Sequence, residues 1–259
     1  MSDEVNLYEY QPFTGSTLLA APDSPPSLQI ASEHPKLDGA TALYPAYAAI
    51  AQAVYVLPPG AGGEDFAFDY VPCNTTAKAY QGLIDGEVDA IFVARPSKGQ
   101  LAKAKEAGVD LKATPIGREA FVFFVKADNP VQDLTIAQVQ DIYSKRITNW
   151  KQVGGRDEPI LPFQRPDDSG SQTAMLAMVM NDRPIAQPLK EETASAMGGI
   201  ISEVAGYLNT SAAIGYSFRW YATVMNPNAG IKLLSIEGVE PTAANIRNGS
   251  YPLTGELNI

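Results

Sequence analysis

The chain has 259 residues, 45% hydrophobic and 19% charged, enough core material to exclude a disordered segment. A formal net charge of −10, with no clustering of Lys and Arg, excludes a face that tracks nucleic-acid phosphates or an acidic membrane surface. Cys73 is the only cysteine, so an internal disulfide and a thiolate metal cluster are excluded, and neither Cys73 nor the sole histidine, His34, has a motif around it. No apolar run reaches bilayer length, and Met1–Val5 lacks the basic and apolar regions of a signal peptide. Two readings follow: a cytoplasmic protein, or one whose export signal is absent from this chain.

In chain order, residues 1–35 are rich in Pro, Ser and Thr, and Pro22-Asp23-Ser24-Pro25-Pro26 reads as an exposed turn. Ala42 to Val56 has helical spacing, with Leu43, Tyr47, Ile50 and Val54 on one face and Pro45 in the first turn. The glycine-rich stretch Leu57–Gly63 ends it; it follows a helix and lacks the Lys-Ser/Thr of a phosphate-binding P-loop. Phe66 to Val71 alternates like a strand. Thr75 or Thr76 opens a helix that stops near Gly86. Val88 to Ala94 is a continuous apolar run, as expected of a strand covered on both faces of a parallel sheet. A charged helix runs from Gln100 to Ala107, and Ala120 to Val125 is a second buried strand. Thr135 and Gln138 have capping-box spacing and open a helix to about Tyr143. Ile200 to Leu208 reads as a helix, Ala213–Tyr216 and Ile231–Ile236 as strands, and Thr242–Asn248 as a short helix. Alternation of this kind predicts an α/β protein with largely parallel sheets.

The richest segment is Pro162 to Thr173. A strand end, Ile160 to Phe163, precedes Arg165 and the turn Ser169-Gly170-Ser171, and an apolar helix pattern follows to Met180. A helix that begins there points unpaired N–H groups and the positive end of its dipole outward. Hydroxyls add donors, glycine permits close approach, and an arginine can make two parallel bonds to an oxyanion. Anion capture is one reading of the segment; an ordinary strand-turn-helix with a serine cap is the other.

Leu134 to Gly155, with Ile147-Thr148-Asn149-Trp150 at its centre, resembles a signature stretch of the solute receptors that feed phosphate ABC transporters. Leu37 to Pro45 resembles the first anion-binding turn of that family, Arg165 to Ser171 its second, and Ala213–Tyr216 its late strand. The likeness spans residues 37 to 255. It implies a two-lobed type II periplasmic-binding-protein fold, each lobe a largely parallel sheet flanked by helices, with the ligand in the interlobe cleft. Lobe one would comprise residues 1–117, lobe two 118–225, and residues 226–259 would return to lobe one. The implied ligand contacts are Arg165, Ser169, Gly170 and Ser171 from one lobe, and Thr41, Ala42 and either Thr75 or Thr76 from the other. For Thr41 and Thr75 plain helix capping is the competing role.

Two departures bear on the ligand. After the buried strand the family carries an aspartate that accepts the proton of hydrogen phosphate, where this chain has Arg95-Pro96-Ser97. Arg95 either adds a second cationic clamp, which admits a more highly charged or organic phosphate, or points to solvent. The chain also stops at Leu257-Asn258-Ile259, where such receptors continue. The resemblance implies an extracytoplasmic, monomeric receptor for phosphate or a related oxyanion, with an ABC permease as partner. A sensory or scaffold domain of a cell-surface protein is the alternative. No catalytic residue, metal ligand or cofactor is expected. Ser169 and Ser171 lack a Gly-x-Ser-x-Gly frame and a nearby histidine, and the acid pairs Asp167-Asp168 and Glu191-Glu192 lack metal spacing and read as solvent-facing.

Overall fold

A computed structural model describes residues 5–16, 18–189, 192–194, 197–206 and 212–259. The chain divides into an N-terminal unit, Asn6–Ile116 with Leu257–Ile259, and a C-terminal unit, Gly117–Glu256 with Val5.

In the N-terminal unit, β1 (Leu37–Gly39) pairs in parallel with β2 (Ala90–Phe92). A 3-10 turn, Thr41–Leu43, leads from β1 into α1 (Tyr44–Val54), which buries Tyr44, Tyr47, Ala48 and Ala51. The Phe66–Val71 segment, expected as a strand, is helical instead: α2 spans Gly63–Tyr70. Glu64 and Asp65 sit in its first turn, where they complement the dipole, and Phe66 and Tyr70, four residues apart, stack at 4.6 Å. Phe68, which strand alternation would have buried, is 77% exposed. Next, α3 (Thr76–Asp85) packs Ala79 and Tyr80 against Ile91 and Val93, then ends at Gly86 with φ 74°. Ser97 and Gln100 close a capping box on α4 (Lys98–Glu106).

The C-terminal unit is built on β3 (Pro115–Lys126), whose first two residues belong to the other unit. Ala120 to Val125 are each fully buried. After β3 come β4 (Asp133–Leu134), α5 (Ile136–Tyr143) with the predicted Thr135–Gln138 capping box, and β5 (Leu161–Pro162). There follow α6 (Gly170–Ala174), continued without a break as a π-helical segment Met175–Met180, then α7 (Met197–Gly206) and β6 (Ala213–Phe218). The chain ends with β7 (Ile231–Leu233), β8 (Ser235–Ile236), α8 (Ala243–Arg247) and β9 (Thr254–Asn258).

The main sheet runs β5-β6-β3-β7, with β9 also on β3, and it is mixed rather than largely parallel. β5 and β6 are parallel, whereas β3 runs antiparallel to both β6 and β7. One face carries Phe121, Phe123 and Tyr216 against Tyr143 of α5, and the other sets Gly215 against Ile200 and Val204 of α7. Residues 226–256 belong to this unit, not to the return the sequence reading began at 226, because β7 pairs with β3 and β8 with β4. The return itself is the short Leu257–Ile259 piece, where Asn258 bridges Val93. Residues 207–208 of the expected Ile200–Leu208 helix lie outside the described residues, as does Glu191. Its neighbour Glu192, expected at the surface, is 1% exposed and paired with Lys145, which matches a buried carboxylate to a cation. No helix among the described residues is long and apolar enough to cross a membrane.

Candidate functional site

In the C-terminal unit, β5 delivers the chain to Gln164 and Arg165, and Pro166 then bars a helix at Arg165 by its ring. Ser169 N–H closes the turn on Pro166 O at 2.9 Å. Ser169 is the N-cap of α6, its Oγ accepting the Gln172 amide at 3.2 Å. As the first two residues of α6, Gly170 and Ser171 have amides with no acceptor inside the helix. Gly170 is buried, Ser171 is 1% exposed and Thr173 7%. The Ser171 Oγ and Thr173 Oγ1 atoms are buried without a hydrogen-bond partner among the described residues. Buried hydroxyls are seldom left so, and these two lie on the turn that sequence reasoning marked for an anion.

Arg165 is half-buried, and its amide donates both to Gln172 Oε1 at 3.1 Å and to the Tyr216 hydroxyl at 3.0 Å. Burial pushes the Tyr216 phenol up, so it stays protonated and donates to Gln172 Oε1. Asp167 and Asp168 at the tip of the turn are exposed. The cradle therefore presents hydroxyl, amide and guanidinium donors, and its braces carry no charge. Such a donor set is of the kind that suits an oxyanion.

In the N-terminal unit the Thr41 turn rests on a buried carboxylate that sequence reasoning missed. Asp38, 2% exposed, accepts the Gly39 amide at 2.7 Å, the Asn74 amide at 2.8 Å and Asn74 Nδ2 at 3.2 Å. Burial raises its carboxyl above the ordinary aspartate value despite these bonds. It ties β1 to the segment before α3, so Thr41 and Thr75–Thr76 are held by one bracket. Only glycine fits at 39, because a Cβ there would meet Phe92 O at 2.5 Å and the Tyr47 ring at 2.8 Å. An aspartate next to a glycine at the start of an apolar segment was the available signal.

The expected contacts in this unit differ in what they do. Thr41 and Ala42 are partly buried in the 3-10 turn and cap neither that turn nor α1; the caps are Ala40 and Leu43. Cys73 lies beside the Thr41 hydroxyl, its thiol pushed up to about 11 by burial, which leaves it unreactive at neutral pH. Thr75 is the N-cap residue of α3, yet its side chain makes no capping bond, and its backbone takes φ 85° and ψ 157°, a region nearly confined to glycine. Thr76 is 6% exposed in the first turn of α3. Arg95 follows β2 and is exposed. His34 stands apart from Cys73, among the rings of Tyr55, Phe66 and Tyr70. Among the described residues no group of three potential metal ligands converges.

The fold is that of an α/β domain, and residues 29–257 match the family model of the PBP superfamily domain. The chain belongs to that family. It is 32% identical over 155 residues to the phosphate-binding protein PstS of Bacillus subtilis, covering 59% of this chain and 48% of that one. With the PstS of Staphylococcus epidermidis it shares 28% over 190 residues, covering 71% and 57%. The chain thus spans about half the length of these curated relatives. Among solved structures it resembles a Clostridium perfringens protein described as a phosphate ABC transporter substrate-binding protein, crystallised with bound phosphate. That likeness has a TM-score of 0.62 and 26% identity, covering 87% of this chain and 85% of the other. An ABC-type phosphate transport receptor from Vibrio cholerae shares the fold, with a TM-score of 0.61 at 18% identity.

Proposed function

We propose that the chain is an extracytoplasmic solute-binding protein that captures inorganic phosphate, or a closely related oxyanion, and hands it unaltered to an ABC permease. The observation that carries this reading is the pair of buried hydroxyls at the start of α6, Ser171 Oγ and Thr173 Oγ1, which have no hydrogen-bond partner among the described residues. Beside them stand the α6 amides and Arg165, and the relatives named phosphate-binding proteins support the same ligand. Arg165, Ser169, Gly170 and Ser171 form the proposed cradle. Thr41, Ala42, Thr75 and Thr76 are proposed as further donors, and Arg95 as an additional cationic contact. Nothing in this donor set calls for bond making or breaking.

The test is calorimetric titration of phosphate-stripped protein with phosphate, sulfate and arsenate. Charge-assisted bonds contribute about 1.5–3 kcal/mol each, so the loss of one in Arg165→Ala should weaken phosphate binding by roughly 10- to 150-fold. Ser171→Ala should weaken it by roughly tenfold. A wild-type protein that takes up none of these anions at millimolar concentration refutes the proposal.

A further inference from the structure

The cradle is braced from below by a buried polar relay. Gln164 and Gln172 are each 2% exposed and Tyr216 is fully buried, yet all three use their polar atoms. Gln164 Nε2 donates to Ala186 O at 2.8 Å, and Gln172 Nε2 donates to Gln164 Oε1 at 3.3 Å. Gln172 Oε1 accepts from the Tyr216 hydroxyl and, at 3.1 Å, from the Arg165 amide. That amide is shared with the Tyr216 oxygen at 3.0 Å. The backbone N–H of the same Gln172 holds Ser169 Oγ at 3.2 Å. A single residue thereby fastens both ends of the turn, the strand exit at Arg165 and the cap of α6 at Ser169. Packing alone does not call for this chemistry, because apolar side chains of similar shape would fill the space without desolvating an amide and a phenol.

We propose that Gln172 and Tyr216 are positioning residues of the cradle. They fix the Arg165 backbone and the α6 N-terminus in donating geometry before an anion arrives, so that little ordering remains to be done on binding. The inference rests on the oxyanion reading of the turn. Neither residue need touch the anion. Both side chains act through the Arg165 amide, Gln172 reaches Ser169 through its main-chain N–H alone, and neither places a charge beneath the site to repel the ligand.

The test uses the full chain stripped of anion, with inorganic phosphate as probe, below the melting temperature of every variant. Tyr216→Phe removes one hydroxyl without changing shape and should weaken phosphate about fivefold; Gln172→Met, which removes the shared acceptor, should weaken it about tenfold or more. Because both act on one amide, the double variant should fall short of the product of the single effects. Tyr143→Phe is the control: it deletes another fully buried hydroxyl on the same sheet face, bonded to Ile214 O at 3.5 Å, and should leave affinity unchanged even where it lowers the melting temperature. A second readout needs no ligand. Hydrogen exchange at the Arg165 amide in the free protein should speed up in Tyr216→Phe and Gln172→Met but not in Tyr143→Phe. Wild-type affinity in both variants, or unchanged exchange at Arg165, overturns the positioning role. If wild-type protein binds no oxyanion, the ligand reading falls and the inference falls with it, a failure the binding arm separates from the first kind.

Discussion

Replacing Thr75 by glycine should stabilise the ligand-free protein, although it shortens a side chain at the mouth of a helix. At φ 85° and ψ 157° a β-branched residue carries strain of about 1–3 kcal/mol. The side chain returns little against that strain, since it is exposed and makes no capping bond to α3. Glycine relieves the strain but gives the unfolded chain more freedom, which costs about 0.5–1 kcal/mol. The difference is a gain of about 1 kcal/mol, within a range from about zero to about 2.5. For a chain of this length that corresponds to a rise in melting temperature of about 2–4 °C. Calorimetry or urea unfolding of phosphate-free protein measures it. Thr75→Ala is the decisive companion, because alanine keeps the Cβ responsible for the strain and should gain nothing. A glycine variant less stable than wild type, or an alanine variant as stable as glycine, would refute the reasoning. The strain is sustained by the bracket that surrounds it, the Asn74 amide on Asp38 and the Ala79 amide on Thr75 O at 2.9 Å. Release should therefore also loosen phosphate binding, since the turn is no longer held in one shape.

Two further outcomes concern Gly39 and two buried carboxyls, Asp38 of β1 and Glu119 of β3. Gly39→Ala forces a methyl to within 2.5 Å of Phe92 O, a backbone atom that cannot swing aside, so β1 and β2 must separate; a loss of about 1–3 kcal/mol in urea unfolding is expected. Burial lifts the Asp38 and Glu119 carboxyls above their ordinary 3.8 and 4.5, so just above those values the folded chain holds protons that the unfolded chain has released. Their contribution to stability accordingly falls as pH rises through that window and is level above it. The urea midpoint of Asp38→Asn with Glu119→Gln, followed from pH 3 to 7, should show a less downward trend with pH than wild type; an identical trend contradicts the assignment.

What could be read from the residues depended on whether a local pattern had one structural solution. The Thr135–Gln138 capping box could only start a helix, and both of its bonds are present. Ala120–Val125 could only be a strand covered on both faces, and it is the centre of the main sheet. Phe66–Val71 had two solutions. Its aromatics satisfy both a period of two and an i, i+4 pair, and the acids ahead of it, with Phe66 on Tyr70, decide for the helix. β1 was invisible as a strand because its three residues include Asp and Gly, both poor strand formers. They are there because the carboxylate organises the Asn74 amide and because nothing larger than hydrogen fits at 39.

The same distinction holds within the candidate site. The turn is legible, since a proline, then Ser169-Gly170-Ser171 ahead of an apolar run, marks a helix start, and Ser169 is its cap. Its supports are not. Gln172 looks like any polar residue in a first helical turn, and Tyr216 like any aromatic in a buried strand. Their bond arises only when parallel β5 and β6 bring residues 44 positions apart to the same end of the sheet. Asp38 is the converse case: a charged residue whose position in the sequence suggests a surface turn, and whose role appears only once Asn74 folds back over it from 36 residues away. A chain therefore advertises the groups that would meet a ligand, whose chemistry is local, and conceals the groups that aim them, whose chemistry depends on tertiary contacts.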